Sequence, residues 1–177
     1  QKDNSFIDAH VLPRVLTMPQ TYDEEENGSI TNFISQFFQG SETKQITSEL
    51  VDAFNLMKDA SSLGSIMKFT ISESTRYVLA QTVDYWKQQS FVPKSIQNNM
   101  PGMELILSLT QKYSVLVMNP PYMKAANMND ILKEYVVKHY ENGALDLYSV
   151  FMYLAVQNIL KHGKISMIVQ PTWLVNS

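Results

Sequence analysis

Ser114-Val115-Leu116-Val117-Met118-Asn119-Pro120-Pro121-Tyr122 is the stretch that decides the fold. The run up to Met118 shows none of the alternation of a half-solvated strand; it has the pattern of a strand covered on both faces in a parallel sheet. At Asn119 the run stops, and two prolines follow that fix φ and remove two backbone donors. Downstream, helices are expected over residues 129–140 and from 146 to about 161, with Gly163 ending the second and a further apolar strand at 165–169. Strand, loop, helices, glycine and strand in that order describe an α/β sheet with right-handed crossovers.

Upstream the signals are helical. Residues 43–59 carry Ile46, Leu50, Phe54 and Met57 at helical spacing, and residues 74–89 carry Tyr77, Ala80, Val83 and Trp86. An earlier helix is expected after a cap at Ser29 or Thr31, with Ile30, Phe33, Ile34, Phe37 and Phe38 as its apolar face and Gly40 closing it. These stripes read as core packing. Residues 65–71 suggest a short strand, 11–18 a proline-bounded, edge-tolerant strand, and 20–28 a solvated acidic loop. Residues 93–101 read as a polar connector, followed by a helix over 103–112 with Pro101 and Gly102 at its start. The chain therefore divides near residue 100: residues 1–100 as a mostly helical lobe with one probable sheet strand near 11–18, and residues 101–177 as the half that carries the Asn119 loop.

With 177 residues, 45% of them apolar and 18% charged, the chain is long enough for one ordinary core. It has no cysteine, so a disulfide framework and a thiolate metal site are both excluded, and a reducing cytoplasmic setting is expected. His10, His139 and His162 lack ligand spacing, and no metal is expected. Neither a membrane-length apolar run nor a charged-then-apolar leader is present. A net charge of −3 gives no general attraction to a polyanion, so any basic groove must be local or lie elsewhere. The chain opens without methionine and stops at Trp173-Leu174-Val175-Asn176-Ser177, which reads as the entry to a new element. It is expected to be an internal piece of a longer protein, with open sheet edges that invite dimerisation.

The Asn119 loop suits one kind of chemistry. The amine on a planar, conjugated system is a poor nucleophile because its lone pair is delocalised. Two acceptors that take its two hydrogens draw the nitrogen toward tetrahedral geometry and aim the lone pair at an electrophile. Asn119 supplies a side-chain carbonyl, Pro120 a main-chain carbonyl, and the prolines keep both in place. Tyr122 offers a flat face on which a base swung out of a duplex can stack. The carboxyl end of a buried strand is also where open α/β sheets build ligand sites. From average residue usage this tetrapeptide arises by chance in about one in a thousand chains of this length, which favours function over a simple strand exit.

Asn119-Pro120-Pro121-Tyr122 resembles the signature of the amino-methyltransferases with the Rossmann-like S-adenosylmethionine fold. The wider stretch from Lys112 to Met123, with Asn127-Met128-Asn129, looks like the adenine-specific methyltransferase of BREX phage-exclusion systems, the PglX type. Asp146-Leu147-Tyr148, Phe151, Gly163, the strand at 165–169 and Trp173 agree, as do Lys58-Asp59-Ala60 and Leu63-Gly64-Ser65-Ile66. Ser114 and Lys124-Ala125-Ala126 depart from the family's usual residues. The resemblance implies an α/β fold that is a partial methyltransferase domain with a helical lobe. It implies methylation of adenine in double-stranded DNA, with Asn119, Pro120, Pro121 and Tyr122 catalytic, S-adenosyl-L-methionine as cofactor and other defence proteins as possible partners. The cofactor loop of this family is glycine-rich and lies upstream. Gly28, Gly40, Gly64, Gly102, Gly143 and Gly163 show no such spacing, so only Asn119 is expected at the edge of the cofactor site, and this piece alone is expected to be inactive. A protein-glutamine or RNA amino-methyltransferase, or a degenerate interaction module of the same fold, are the alternatives.

Among the remaining polar and aromatic residues, Asp146 either caps the helix that follows or helps order the catalytic loop, and capping is the more economical reading. Lys133, Lys138 and His139 fit a solvated helix face as well as they fit phosphate contacts. Trp173 either lines a base pocket or packs, with packing favoured, and ten methionines read as an adaptable core.

Overall fold

The computed structural model describes residues 15–16, 34, 43–140 and 143–170. Apart from Val15, Leu16 and Ile34, the expected strand at 11–18, the acidic loop, the first helix and Trp173 lie outside these residues.

Helix α1 (Thr43–Leu56) buries Ile46, Leu50, Ala53 and Phe54, the stripe that its sequence sets out. A 3-10 turn (Met57–Asp59), a short helix α2 (Ala60–Leu63) and a second 3-10 turn (Gly64–Ile66) follow. Gly64 has φ 55° and ψ −141°, a backbone state open essentially to glycine. Helix α3 (Glu73–Lys87) starts at Ser72, whose Oγ accepts from the Thr75 amide at 3.2 Å. Ser72 is itself gripped by α1, since its amide and hydroxyl both donate to Glu49 Oε2, at 2.8 and 2.9 Å. Partial burial raises the pKa of Glu49, but the hydrogen bonds from Thr75, Ser72 and Gln45 prevail and hold it below the usual carboxylate range.

Two expectations fail in this lobe. Residues 65–71 form no strand. Instead Ile66, Met67 and Phe69 are buried by packing, and tyrosines satisfy the backbone: Tyr140 Oη donates to the Ile66 carbonyl at 2.8 Å, and the Lys68 amide donates to Tyr135 Oη at 2.7 Å. Nor are residues 93–101 a connector, because helix α4 spans Lys94–Thr110 with Pro101 inside it. Its buried positions Ile96, Asn99, Met103 and Ile106 continue at three- and four-residue spacing through the proline, so burial of this face outweighs the lost backbone bond. Gly102 lies where a Cβ would sit 3.1 Å from both Met57 Cε and Phe54 Cε1, which lets α4 pack close to the end of α1. An ion pair between Lys87 and Glu104 joins α3 to α4.

Strand β1 (Tyr113–Met118) leads through the Asn119 loop to helix α5 (Asp130–His139), helix α6 (Leu147–Asn158) and strand β2 (Ile159–Met167). The strands pair in parallel, with Leu116 opposite Ile165 and Met118 opposite Met167. The mixed helix and strand architecture with a parallel pair is compatible with the partial α/β methyltransferase fold expected from the sequence. The second strand begins earlier than expected, and α6 ends at Asn158 rather than near Gly163. Gly163 instead serves an irregularity: Tyr113 pairs with Ile159 but Val115 with Lys164, so β2 takes five residue steps (159 to 164) where β1 takes two (113 to 115). His162 has φ 69° there, and a Cβ on Gly163 would lie 2.5 Å from Ile159 Cγ1.

One continuous core takes Leu50 from α1, Leu79 from α3, Ile106 from α4, Val136 from α5 and Val150 from α6. The strands stand largely outside it. Val115 is 58% exposed, Val117 76% and Ile165 39%, so the expected cover on both faces is not met among the described residues. Among those residues, no helix is long and apolar enough to cross a membrane.

Candidate active site

The pairing of β1 with β2 extends past Met118, whose carbonyl accepts from the Ile168 amide at 3.1 Å. Asn119 therefore leaves a strand that is anchored to its last residue. At the far end of the loop, Tyr122 Oη donates to the Ile168 carbonyl at 2.9 Å, and the Tyr122 ring meets Tyr148 edge-on with centroids 6.4 Å apart. The ring is held in one orientation while 45% of the residue stays open to solvent. The next residues are stapled to the start of α6. Leu147 N donates to the Met123 carbonyl at 2.8 Å, Ala125 N donates to the Leu145 carbonyl at 3.0 Å, and Lys124 and Asp146 form an antiparallel bridge.

The expected capping role of Asp146 is corrected by this arrangement. Asp146 stands at the N-cap position of α6, but its side chain makes no capping bond, and its Oδ1 is buried without a partner. Its main chain does the ordering, through the bridge to Lys124 and a carbonyl that accepts from Ser149 N at 3.0 Å. Asn129 is the residue that caps by side chain: its Oδ1 accepts from Leu132 N at 2.8 Å, and its Nδ2 donates to Ser62 Oγ at 3.2 Å, tying α5 to α2.

A cavity of about 460 Å³ opens beside the loop, with Asn119, Pro120 and Pro121 in its lining together with Tyr113, Met118 and Phe151. Pro120 is buried, whereas Asn119 and Pro121 are exposed. Among the described residues, none is hydrogen-bonded to the Asn119 side chain, so its amide carbonyl is available to a ligand. The loop thus has two pinned ends and an unengaged acceptor in the middle, an arrangement suited to gripping a planar amine.

The structure does not bring Lys133, Lys138 or His139 to this cavity. The two lysines line an open groove on α5 with Asp130, Glu134 and Val137. His139 lies against Tyr135 with ring centroids 4.3 Å apart, and burial, then Lys138 and Lys68, lower its pKa and favour the neutral ring.

No acidic side chain and no glycine lines the Asn119 cavity. A nucleoside-bearing methyl donor needs both a close backbone approach and a partner for its ribose hydroxyls. Among the described residues, the lining of the Asn119 cavity supplies neither. The anchors from Tyr122 to Ile168 and from Lys124 to Asp146 join residues far apart in sequence, and no local spacing signals them.

A family model, the Eco57I restriction-modification methylase, matches residues 20–177, and the chain belongs to that family. Over 75 residues the chain is 31% identical to the adenine-specific methyltransferase BrxX of Escherichia coli O9:H4 (strain HS), a match that covers 42% of this chain and 6% of that protein. Over 67 residues it is 34% identical to the adenine-specific methyltransferase PglX of Lacticaseibacillus casei (strain Zhang), covering 38% of this chain and 6% of that one. The matches therefore span only a small part of the length of these relatives.

Proposed function

We propose that the full-length protein transfers a methyl group from S-adenosyl-L-methionine to the exocyclic amine of adenine in double-stranded DNA, within a phage-defence or restriction-modification system. The observation that carries this reading is the Asn119 side chain, which has no partner among the described residues, stands at the carboxyl end of a parallel strand and lines a cavity between two pinned loop ends. Asn119 Oδ1 and the Pro120 carbonyl accept the two amine hydrogens, which localises the nitrogen lone pair. The Tyr122 ring stacks on the extruded base, and its bond to Ile168 fixes the plane of stacking. The donor, when bound, supplies the methyl group; the work of these residues is on the acceptor. Family membership and the adenine-specific relatives support the substrate class.

The test is methyl transfer by the full-length protein and its Asn119→Ala variant, assayed in parallel on duplex DNA, structured RNA and glutamine-containing peptides. The expected result is transfer to adenine in DNA that falls about 10²- to 10³-fold in the variant, the usual effect of removing one preorganised hydrogen-bonding group. Transfer to RNA or to a glutamine amide instead of DNA would overturn the substrate, and an undiminished rate in Asn119→Ala would overturn the site.

A further inference from the structure

The Asn119 cavity shares a wall with a second one. The second cavity, of about 430 Å³, also has Leu109, Leu154 and Asn158 in its lining, and it lies beside Thr110 and Lys112 at the start of β1, whereas Asn119 follows the end of that strand. Their chemistry differs. Lys68, Arg76 and Lys112 face the second chamber against one carboxylate, Glu73, which leaves two net positive charges (three minus one). Arg76 Nε is buried and has no hydrogen-bond partner among the described residues. A desolvated guanidinium donor without an acceptor is destabilising, and it marks a place where something outside the fold completes the bond. Lys112 Nζ donates to the Gln157 carbonyl, which ties that cation to the end of α6. The Lys68 backbone is fixed by its bond to Tyr135 Oη, while Lys68 itself is exposed.

We propose that this second cavity is a phosphate subsite, in which Arg76, supported by Lys68 and Lys112, binds a backbone phosphate of the nucleic-acid substrate. A planar guanidinium fork matches phosphate oxygens in geometry and charge. The nucleic acid comes from the function proposed above. The cation cluster, the unpartnered Nε and the shared wall stand independently of it.

The experiment is binding of a fluorescent single-stranded oligonucleotide to the full-length protein over a salt series. Arg76→Gln, Arg76→Lys and Lys112→Gln are compared with the parent, and inorganic phosphate serves as competitor. Arg76→Gln is expected to weaken binding roughly tenfold at low salt, equally for all sequences, and to reduce the logarithmic salt slope by about 0.7. Arg76→Lys is expected to keep the slope. In methyl transfer, KM for DNA should rise while kcat at saturating DNA is retained. An Arg76→Gln protein with unchanged melting temperature, slope and KM overturns the subsite. If Arg76→Gln does not fold, Lys112→Gln reads the same slope from a more exposed position. A protein that binds the oligonucleotide through Arg76 yet transfers no methyl group would remove the proposed reaction and leave the subsite standing.

Discussion

The helices and the two strands of this chain are both rich in aliphatic side chains, yet they use them in opposite ways. In the helical lobe Leu50 is 1% exposed, and Ile96 and Ile106 are fully buried. On the strands Val115 and Val117 are 58% and 76% exposed, and Ile168 just beyond β2 is 66% exposed. A helix in this chain hides its apolar face by packing on other helices, whereas each strand has one partner along one edge. Cohesion therefore comes from the helices, together with α5 and α6. The strand ends are left to present the Asn119 loop. Stability and chemistry are carried by different residues, and substitutions should separate them.

The largest expected effect lies in the lobe. Ile106→Ala leaves a cavity in a fully buried site and should cost about 2–5 kcal/mol in denaturant unfolding. Val117→Ala, mostly exposed, should stay within about 0.5 kcal/mol. A comparable loss at both positions in the full-length protein would break the comparison, since Val117 would then be covered there.

The next effect sharpens the loop side. Tyr122→Ala removes the stacking face and should weaken DNA binding by about 1–3 kcal/mol with little change in melting. Tyr122→Phe keeps the face and loses only the bond to Ile168, about 0.5–1.5 kcal/mol of stability. Equal DNA affinities for the two variants would remove stacking from the account.

Gly163→Ala tests the irregular start of β2. Its Cβ would lie 2.5 Å from Ile159 Cγ1 and 3.0 Å from the Leu160 carbonyl, so overpacking should cost roughly 1–3 kcal/mol. Thermal unfolding checks it, and a neutral result would mean that the irregularity relaxes freely.

The smallest effect is in pH. Burial raises the pKa of both Tyr135 and Tyr140, with Tyr135 also raising that of Tyr140. The folded protein thus favours the neutral phenols. Their contribution is full below the unfolded value near 10 and is lost as pH rises through the higher folded values. The urea midpoint should fall between about pH 10 and 12, and less steeply in Tyr140→Phe. A slope unchanged by that variant would assign the alkaline loss to other groups.

Much of the architecture was legible from local pattern. The stripe of α1 follows helical spacing, and the apolar run before Asn119 marks β1 almost to the residue; in α3 the expected face is displaced, since Tyr77 is exposed and Thr75, Leu79 and Val83 are buried. Where local signals misled, a distant partner intervened. Pro101 reads as a helix start, but the burial of Ile96 and Asn99 carries α4 through it. Residues 65–71 look extended, but hydroxyls of Tyr135 and Tyr140 take the backbone bonds that a neighbouring strand would have supplied. Gly163 reads as a helix end, but the mismatch in strand register places it inside β2.

By itself the sequence determined the strand, the Asn119-Pro120-Pro121-Tyr122 loop at its end and the helical character of what precedes them. Periodicity and proline chemistry act over a few residues and need no partner to be read. Only the tertiary structure decided that Tyr122 is tied to Ile168, that Lys124 meets Asp146, and that Arg76, whose Nε has no hydrogen-bond partner among the described residues, shares a chamber with Lys68 and Lys112. Those relations depend on which surfaces meet when the core closes, and packing between distant segments leaves no periodic trace in the chain.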